Sequence, residues 1–325
     1  MESKRPVWSV MIPTYNGNPE YIRQTIASVL DQDPGPGKMQ IRLVDNGSSK
    51  HDYRALVEEI GRGRVEYFRH PETIKYLHNF NSCIEMAEGE LVHLLHDDDY
   101  VQPGFYDTIE RAYGKHPDAG YFFTRHQFMN EEGEVFNLSP LESETSGILE
   151  NWVESIATEQ SIYYASIVVP REVYRREGMF DDRFETCAED WEMWVRLAAR
   201  YPVYYVREPL ANVRIHSSSM SKSLFMNGSL ISESRKAIET FDSFLPENRR
   251  SRLVRTARSH VAKVAFAYAN SYAGSKNVKA AINLARQAVL TTPKTPAALV
   301  KSMETGLRIL FAMLPLRRPR KSATT

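Results

Sequence analysis

Apolar residues recur in two rhythms along the first hundred residues. WSVMIP (8–13) is a short apolar run closed by Pro13, and it predicts a strand. In NPEYIRQTIASVLDQ (18–32), Ile22, Ile26, Val29 and Leu30 fall at helical spacing, with Asn18 as N-cap and Pro19 in the first turn. MQIRLVD (39–45), RVEYFRH (64–70) and ELVHLLH (90–96) read as further strands. HDYRALVEEI (51–60) and ETIKYLHNFNSCIEMAEG (72–89) read as helices, the second closed by Gly89. Strands alternating with helices imply a parallel sheet with helices on both faces. In such sheets ligands bind beyond the carboxyl ends of the strands. Three polar clusters stand at those ends: PTYNG (13–17), DNGSS (45–49) and HDDDY (96–100). They are far apart along the chain, yet this topology brings them to one edge.

After residue 115 the rhythm is mixed. AGYFFTRHQFMNEEGEVF predicts a strand, a turn at Glu132–Gly133 and a returning strand, and SIYYASIVV (161–169) predicts another. AEDWEMWVRLAARY (188–201) is an amphipathic helix with Trp191, Trp194, Val195, Leu197 and Ala198 on its apolar face. VYYVREPLANVRIHSSSMSKS continues as a strand and a serine-rich loop, and from about 226 the pattern is helical. Two domains are expected, 1–225 and 226–325. A last helix at 297–321 carries Leu299, Val300, Met303, Leu307, Leu310, Phe311 and Leu314 near helical spacing, followed by Arg317, Arg318, Arg320 and Lys321. It suits either a membrane interface or a core-packing helix with a solvated basic tail.

Charge sharpens the division. The net charge is zero, but residues 1–225 hold 23 Lys and Arg against 36 Asp and Glu, and residues 226–325 hold 18 against 5. Either the two modules meet different partners, or the two halves attract each other. The only cysteines, Cys83 and Cys187, form no disulfide framework and no CxxC pair, which predicts a reducing compartment and a packing role. No stretch reaches transmembrane length. A cytoplasmic protein is expected, peripheral on the inner face of the membrane if the last helix binds there. Aromatic residues are too sparse in the basic module to suggest nucleic acid.

The chemistry concentrates in a few acids. Asp97, Asp98 and Asp99 close a predicted strand at the ligand edge, where a hard divalent cation would relieve their repulsion and leave positions for a diphosphate. The plain alternative makes Asp99 or Tyr100 the N-cap of the helix in PGFYDTIERAY. Glu189 and Asp190 open the Trp-rich helix, and adjacent helical residues point about 100° apart, so one should face the site, where a carboxylate can act as general base. Arg214 and His216 share a face of an extended segment and suit phosphate and metal. GxGxxG, GxxxxGK[ST] and GxSxG are absent, which removes the usual dinucleotide, P-loop and nucleophile-elbow fingerprints.

PTYN (13–16), LVDNGSS (43–49), AEGELVHLLHDDDYVQP (87–103), AEDWEMWVRL (188–197) and RIHSSSMS (214–221), in this order, resemble the family 2 glycosyltransferases across roughly residues 7–222. The resemblance implies an α/β, GT-A (Rossmann-like) mixed sheet flanked by helices, with the helical module appended. It implies a nucleotide-sugar donor of UDP or dTDP type, a divalent cation (Mn²⁺ or Mg²⁺), and inversion at the anomeric carbon. Pro13, Thr14, Tyr15 and Asn16 would line the nucleotide pocket, with Asp45 on the base or ribose and Lys75 and Asp97 nearby. Asp98, Asp99 and His216 would be the metal ligands. His96 falls where the family motif has its first aspartate, so it would replace that carboxylate or contact the sugar. Asp190 would be the catalytic base, Glu189 would orient acceptor or donor, and Arg214 would cover the diphosphate. The acceptor would be a glycan or a lipid-linked hydroxyl, in polysaccharide or cell-envelope synthesis, and a second copy of the chain is a further partner to test. Two readings stay open: a glycoside hydrolase, which also uses two carboxylates, and a non-catalytic nucleotide-sugar-binding module.

Overall fold

The computed structural model describes residues 5–216 and 220–292, together with 300, 303, 304, 306 and 308. The rest of the 297–321 helix, and residues 217–219 of the serine-rich loop, lie outside the described residues.

The first half alternates as the sequence predicts. The order is β1 (Trp8–Thr14), α1 (Pro19–Leu30), β2 (Met39–Asp45), α2 (Tyr53–Ile60), β3 (Val65–Arg69), α3 (Tyr76–Glu85) and β4 (Leu91–Leu94). Asn18 caps α1 by accepting from the Glu20 amide at 2.9 Å, and Asp52 caps α2 through the amides of Arg54 and Ala55. The second half contains β5 (Tyr100–Val101), α4 (Phe105–Lys115), β6 (Tyr121–Met129), β7 (Val135–Leu138), β8 (Gly147–Ile148), α5 (Trp152–Thr158), β9 (Ile167–Pro170), α6 (Arg171–Glu177), α7 (Glu189–Ala198) and β10 (Val203–Arg214). Four helices follow: α8 (Met220–Asn227), α9 (Ser229–Phe241), α10 (Glu247–Gly274) and α11 (Val278–Thr291).

The strands form one ten-stranded sheet in the order β3-β2-β1-β4-β9-β6-β10-β5, with β7 on β6 and β8 on β10. β1 to β4 are parallel, β9 runs antiparallel to β4 and β6, and β10 is parallel to β6. The sheet is therefore mixed. Its central strand β1 is buried on both faces, as a strand covered by helices on both sides must be. Trp8, Val10 and Ile12 join the apolar layer under α1, α2 and α4, and Met11 joins the layer under α3, α5 and α7.

The second layer does not stop at the sheet domain. Ile231, Ile238, Phe241, Leu253, Val261 and Phe266 of the C-terminal helices belong to the same apolar cluster as Trp191 and Trp194, and Phe241 packs 5.3 Å from Trp191. The division expected at 225/226 falls inside α8. The opposed charges meet across the boundary: Glu154 pairs with Arg249 and Arg252, and Glu159 lies 3.7 Å from His260.

Three local expectations are corrected. The strand expected over 161–169 opens instead with a 3₁₀ turn at Tyr164–Ser166, closed by the Ser166 amide and hydroxyl on the Tyr163 carbonyl at 2.9 and 2.8 Å. Asp99 does not cap α4; Gly104, at φ 87°, precedes that helix, and Tyr100–Val101 pair with β10. The polar side of α7 is not in solvent either. Glu192 and Arg196 are buried as an ion pair at 2.8 Å, with Arg196 also donating to the carbonyls of Glu177 and Met179.

Candidate active site

The three polar clusters do converge at the carboxyl ends of β1, β2 and β4. Asn16 sits at φ 53°, and from there its amide donates to Ser48 Oγ at 2.8 Å while its Oδ1 accepts from the amides of Ser49 and Lys50 at 2.9 and 3.0 Å. Asp45 is fully buried beneath this loop. One carboxylate oxygen accepts from the Ser48 amide at 2.9 Å, the other from Tyr67 at 2.7 Å and Arg69 at 3.3 Å. Both Asp45 oxygens thus shape the loop. Asn46 clips the next segment through the amide and carbonyl of Ile74 at 3.0 and 2.9 Å.

The first loop also touches the acids. Thr14 Oγ1 donates to Asp97 Oδ2. A Cβ at Gly17 would stand 2.0 Å from that same oxygen, so only glycine lets the carboxylate lie there. Pro13 is buried, while Tyr15 stays 54% exposed.

His96, Asp98 and Asp99 each present one ligand atom, and these atoms lie within 4.8 Å of one another. His96 Nε2 is buried without a hydrogen-bond partner among the described residues. An orphaned imidazole nitrogen beside two carboxylates fits a divalent cation, and one His with two Asp suits Mn²⁺. His216 stands outside this group, with its Nε2 on Asp98 Oδ2 at 2.9 Å. Burial, reinforced by the charge of Asp98, pushes Asp97 up to about 7 and Asp99 well above the ordinary carboxylate range. Burial would raise Asp98 as well, but the hydrogen bond from His216 and the charges of His96 and His216 outweigh it and hold Asp98 low. Separated values of this kind follow when like charges share a desolvated site.

Arg214 is placed differently from the sequence expectation. It is 4% exposed and fully engaged: its amide donates to Asp99 Oδ1 at 2.8 Å, Nε to the Asp98 carbonyl at 3.0 Å, and Nη2 to Gln24 at 2.6 Å. Nη1 reaches the carbonyls of Asn130 and Glu131, and the guanidinium lies 4.2 Å over Tyr21. It braces the acid loop. Lys75 is likewise engaged, donating to the Asp182 carbonyl at 2.8 Å and lying 3.7 Å from Glu185.

The second acid pair opens α7 behind Ala188, which sits at φ 71°. Glu189 is buried and accepts from Tyr76 at 2.8 Å and Tyr164 at 3.0 Å. Half-buried Asp190 accepts from Gln160 Nε2 and from the Trp191 amide, both at 2.7 Å. Burial pushes Asp190 up to about 6; burial and the neighbouring charge of Asp190 push Glu189 up to about 7. The link to the first group is aromatic. His96 stacks on Tyr164 at 4.5 Å, and Tyr164 is the donor to Glu189. The sequence reading missed Tyr76, Gln160 and Tyr164. The 161–169 run looked like a plain strand, and Gln160 carried no pattern at all.

The model of the family described as "Glycosyl transferase family 2" matches residues 9–170, from β1 through β9. An uncharacterized protein of Mycobacterium tuberculosis is 26% identical over 235 residues, covering 66% of this chain and 69% of that protein. The O-antigen biosynthesis protein RfbC of Myxococcus xanthus is 26% identical over 216 residues, which is 60% of this chain but 16% of that protein. Among solved structures, S. aureus TarS 1-349 in complex with UDP-GlcNAc aligns with a TM-score of 0.66 at 15% identity, covering 94% of this chain and 88% of that one. At such identity the likeness is one of fold. The family match takes in all three loop clusters and stops short of Glu189, Asp190, Arg214 and His216. Through residues 9–170 the chain belongs to glycosyl transferase family 2, and it is a glycosyltransferase with the GT-A fold.

Proposed function

We propose that this glycosyltransferase moves a hexose, with inversion, from a UDP- or dTDP-sugar to a hydroxyl on a glycan or lipid-linked acceptor, in polysaccharide or cell-envelope synthesis. One observation carries the reading: two desolvated acid groups, His96–Asp98–Asp99 and Glu189–Asp190, face one region through the His96–Tyr164–Glu189 contact. The solved TarS complexes with UDP-GlcNAc and UDP support the donor class, and the name of the M. xanthus relative supports a role in polymer synthesis.

Asp190 takes the proton of the acceptor hydroxyl as that oxygen attacks the anomeric carbon. The new carbon–oxygen bond forms on the face opposite the phosphate, the old one breaks, and the nucleoside diphosphate leaves with the bonding pair. Gln160 and the Trp191 amide keep the base oriented. Glu189, held by two tyrosines, shapes the sugar side of the cleft. His96, Asp98 and Asp99 would hold Mn²⁺ or Mg²⁺, with His216 orienting Asp98. When bound, the cation offsets charge on the departing diphosphate. Pro13, Thr14, Tyr15 and Asn16 would flank the nucleotide, with Asp45, Lys75 and Arg214 holding the loops around it.

The test is nucleoside diphosphate release from a panel of UDP- and dTDP-sugars with Mn²⁺, with Mg²⁺ and with EDTA. Release from one donor that requires the cation is expected. Cation-independent release, or release from none, removes the proposal.

A further inference from the structure

A ladder of rings leads away from the acids. Tyr163 directly precedes the 3₁₀ turn that carries Tyr164. Its ring lies 4.9 Å from His126 and 5.3 Å edge-on from Phe128, and Phe128 stacks on Phe136 at 6.4 Å. The two ends differ in what they face. Phe136 lies on β7, which pairs with β6, and is 60% exposed. Tyr163 is 40% exposed, yet burial and then the carboxylates of Asp190 and Asp99 all raise its phenol, so the ring stands in the field of both acid groups. His126, at the side of the ladder, is 2% exposed with Nε2 lacking a hydrogen-bond partner among the described residues.

An isolated exposed phenylalanine needs no explanation. A row of rings that runs from solvent to the turn whose next residue, Tyr164, donates to Glu189 does. Pyranose rings have an apolar C–H face and a polar rim. Aromatic faces flanked by a few polar groups match that combination, whereas a lipid chain would leave the polar groups unpaired.

We infer that Tyr163, Phe128 and Phe136 form the acceptor track: a carbohydrate acceptor lays its terminal pyranose on Tyr163, with the attacking hydroxyl toward Asp190, and its preceding residues on Phe128 and Phe136. This deepens, and rests on, the sugar-transfer reading above. It names the acceptor as a glycan and makes the β6–β7 hairpin the element that selects it.

The experiment is calorimetric titration of the full chain with cellotetraose, maltotetraose, chitotetraose and mannotetraose, with UDP plus Mn²⁺ titrated separately. At least one tetrasaccharide should bind saturably. Tyr163→Ala and Phe136→Ala should each weaken it about tenfold, as the loss of one aromatic stacking contact would, and Tyr163→Trp should retain it. UDP affinity in the same samples reports an intact fold. Binding of no tetrasaccharide to the unsubstituted protein, or equal binding by both alanine variants, overturns the track. Failure of UDP to bind counts against the donor reading instead, and the tetrasaccharide titration still decides the track.

Discussion

Gln160 is the clearest case of a side chain whose work is to hold another. Its amide fixes Asp190 Oδ2 at 2.7 Å, while its oxygen is anchored by the Ile162 amide at 3.1 Å. A donor on the ionised form favours that form. If Asp190 is the base, the acidic limb of turnover is expected near pH 6, and Gln160→Leu is expected to move it to higher pH with little change in donor affinity. The pH profile of kcat is the measurement. Asp190→Asn should lower turnover by roughly a hundredfold or more while nucleotide affinity stays, since general-base catalysis contributes about that much. Glu189 gives a stability test. Its folded value is raised from 4.5 to about 7, so the protonated form stabilises the fold, and that contribution is lost as pH rises through about 7. Glu189→Gln keeps the neutral form. Its advantage over the native protein should be absent below about pH 4, grow between about pH 4.5 and 7, and level off above that at roughly 3 kcal/mol, read by denaturant unfolding at several pH values. The acids themselves were legible, because three aspartates behind an apolar run are conspicuous. Their partners were not. Tyr164 and Gln160 reach Glu189 and Asp190 across 25 and 30 residues, and no local spacing encodes such contacts.

At the scale of elements, legibility followed periodicity. β1 to β4 and their helices showed in the alternation of apolar rhythms, because β1, β2 and β4 are buried on both faces and each helix on one, while β3 at the sheet edge is more open. The Tyr163–Ser166 turn did not show, since its β-prone residues are diverted by serine bonding back to the chain. The α7 pattern was right on its apolar face and wrong on its polar one, because Arg196 brings Glu192 and three carbonyls into the interior with it. The loop after β1 is sensitive to a single change. Gly17→Ala would force its new methyl and the Asp97 carboxylate apart, at a cost of about 1–3 kcal/mol. It should weaken Mn²⁺-dependent UDP binding more than it lowers the melting temperature, which paired calorimetry and thermal unfolding would show.

Over the whole molecule, the opposed charge of the two halves resolves in part into contact. Glu154 takes two arginines of α10, and Glu159 lies by His260. These exposed pairs add little stability individually. The shared apolar cluster matters more, with Phe241 on Trp191 behind the second acid pair. A chain ending at 225 is expected to lose cooperative unfolding or to aggregate, because it would uncover that layer directly behind α7; a sharp two-state melt of 1–225 would establish the halves as independent. No helix among the described residues is long and apolar enough to cross a membrane.

The bond from Thr14 to Asp97, over a glycine that leaves no room for a methyl, has a consequence for genetics. The tail of the first strand and the acidic triplet are separated by some eighty positions, yet mechanically they are one part. A variant found near the amino terminus would mimic loss of a ligand it never touches. Screens that sort alleles by map position would file the two defects apart, and only second-site suppressors, arising in one segment to rescue the other, would reveal that they share a cause.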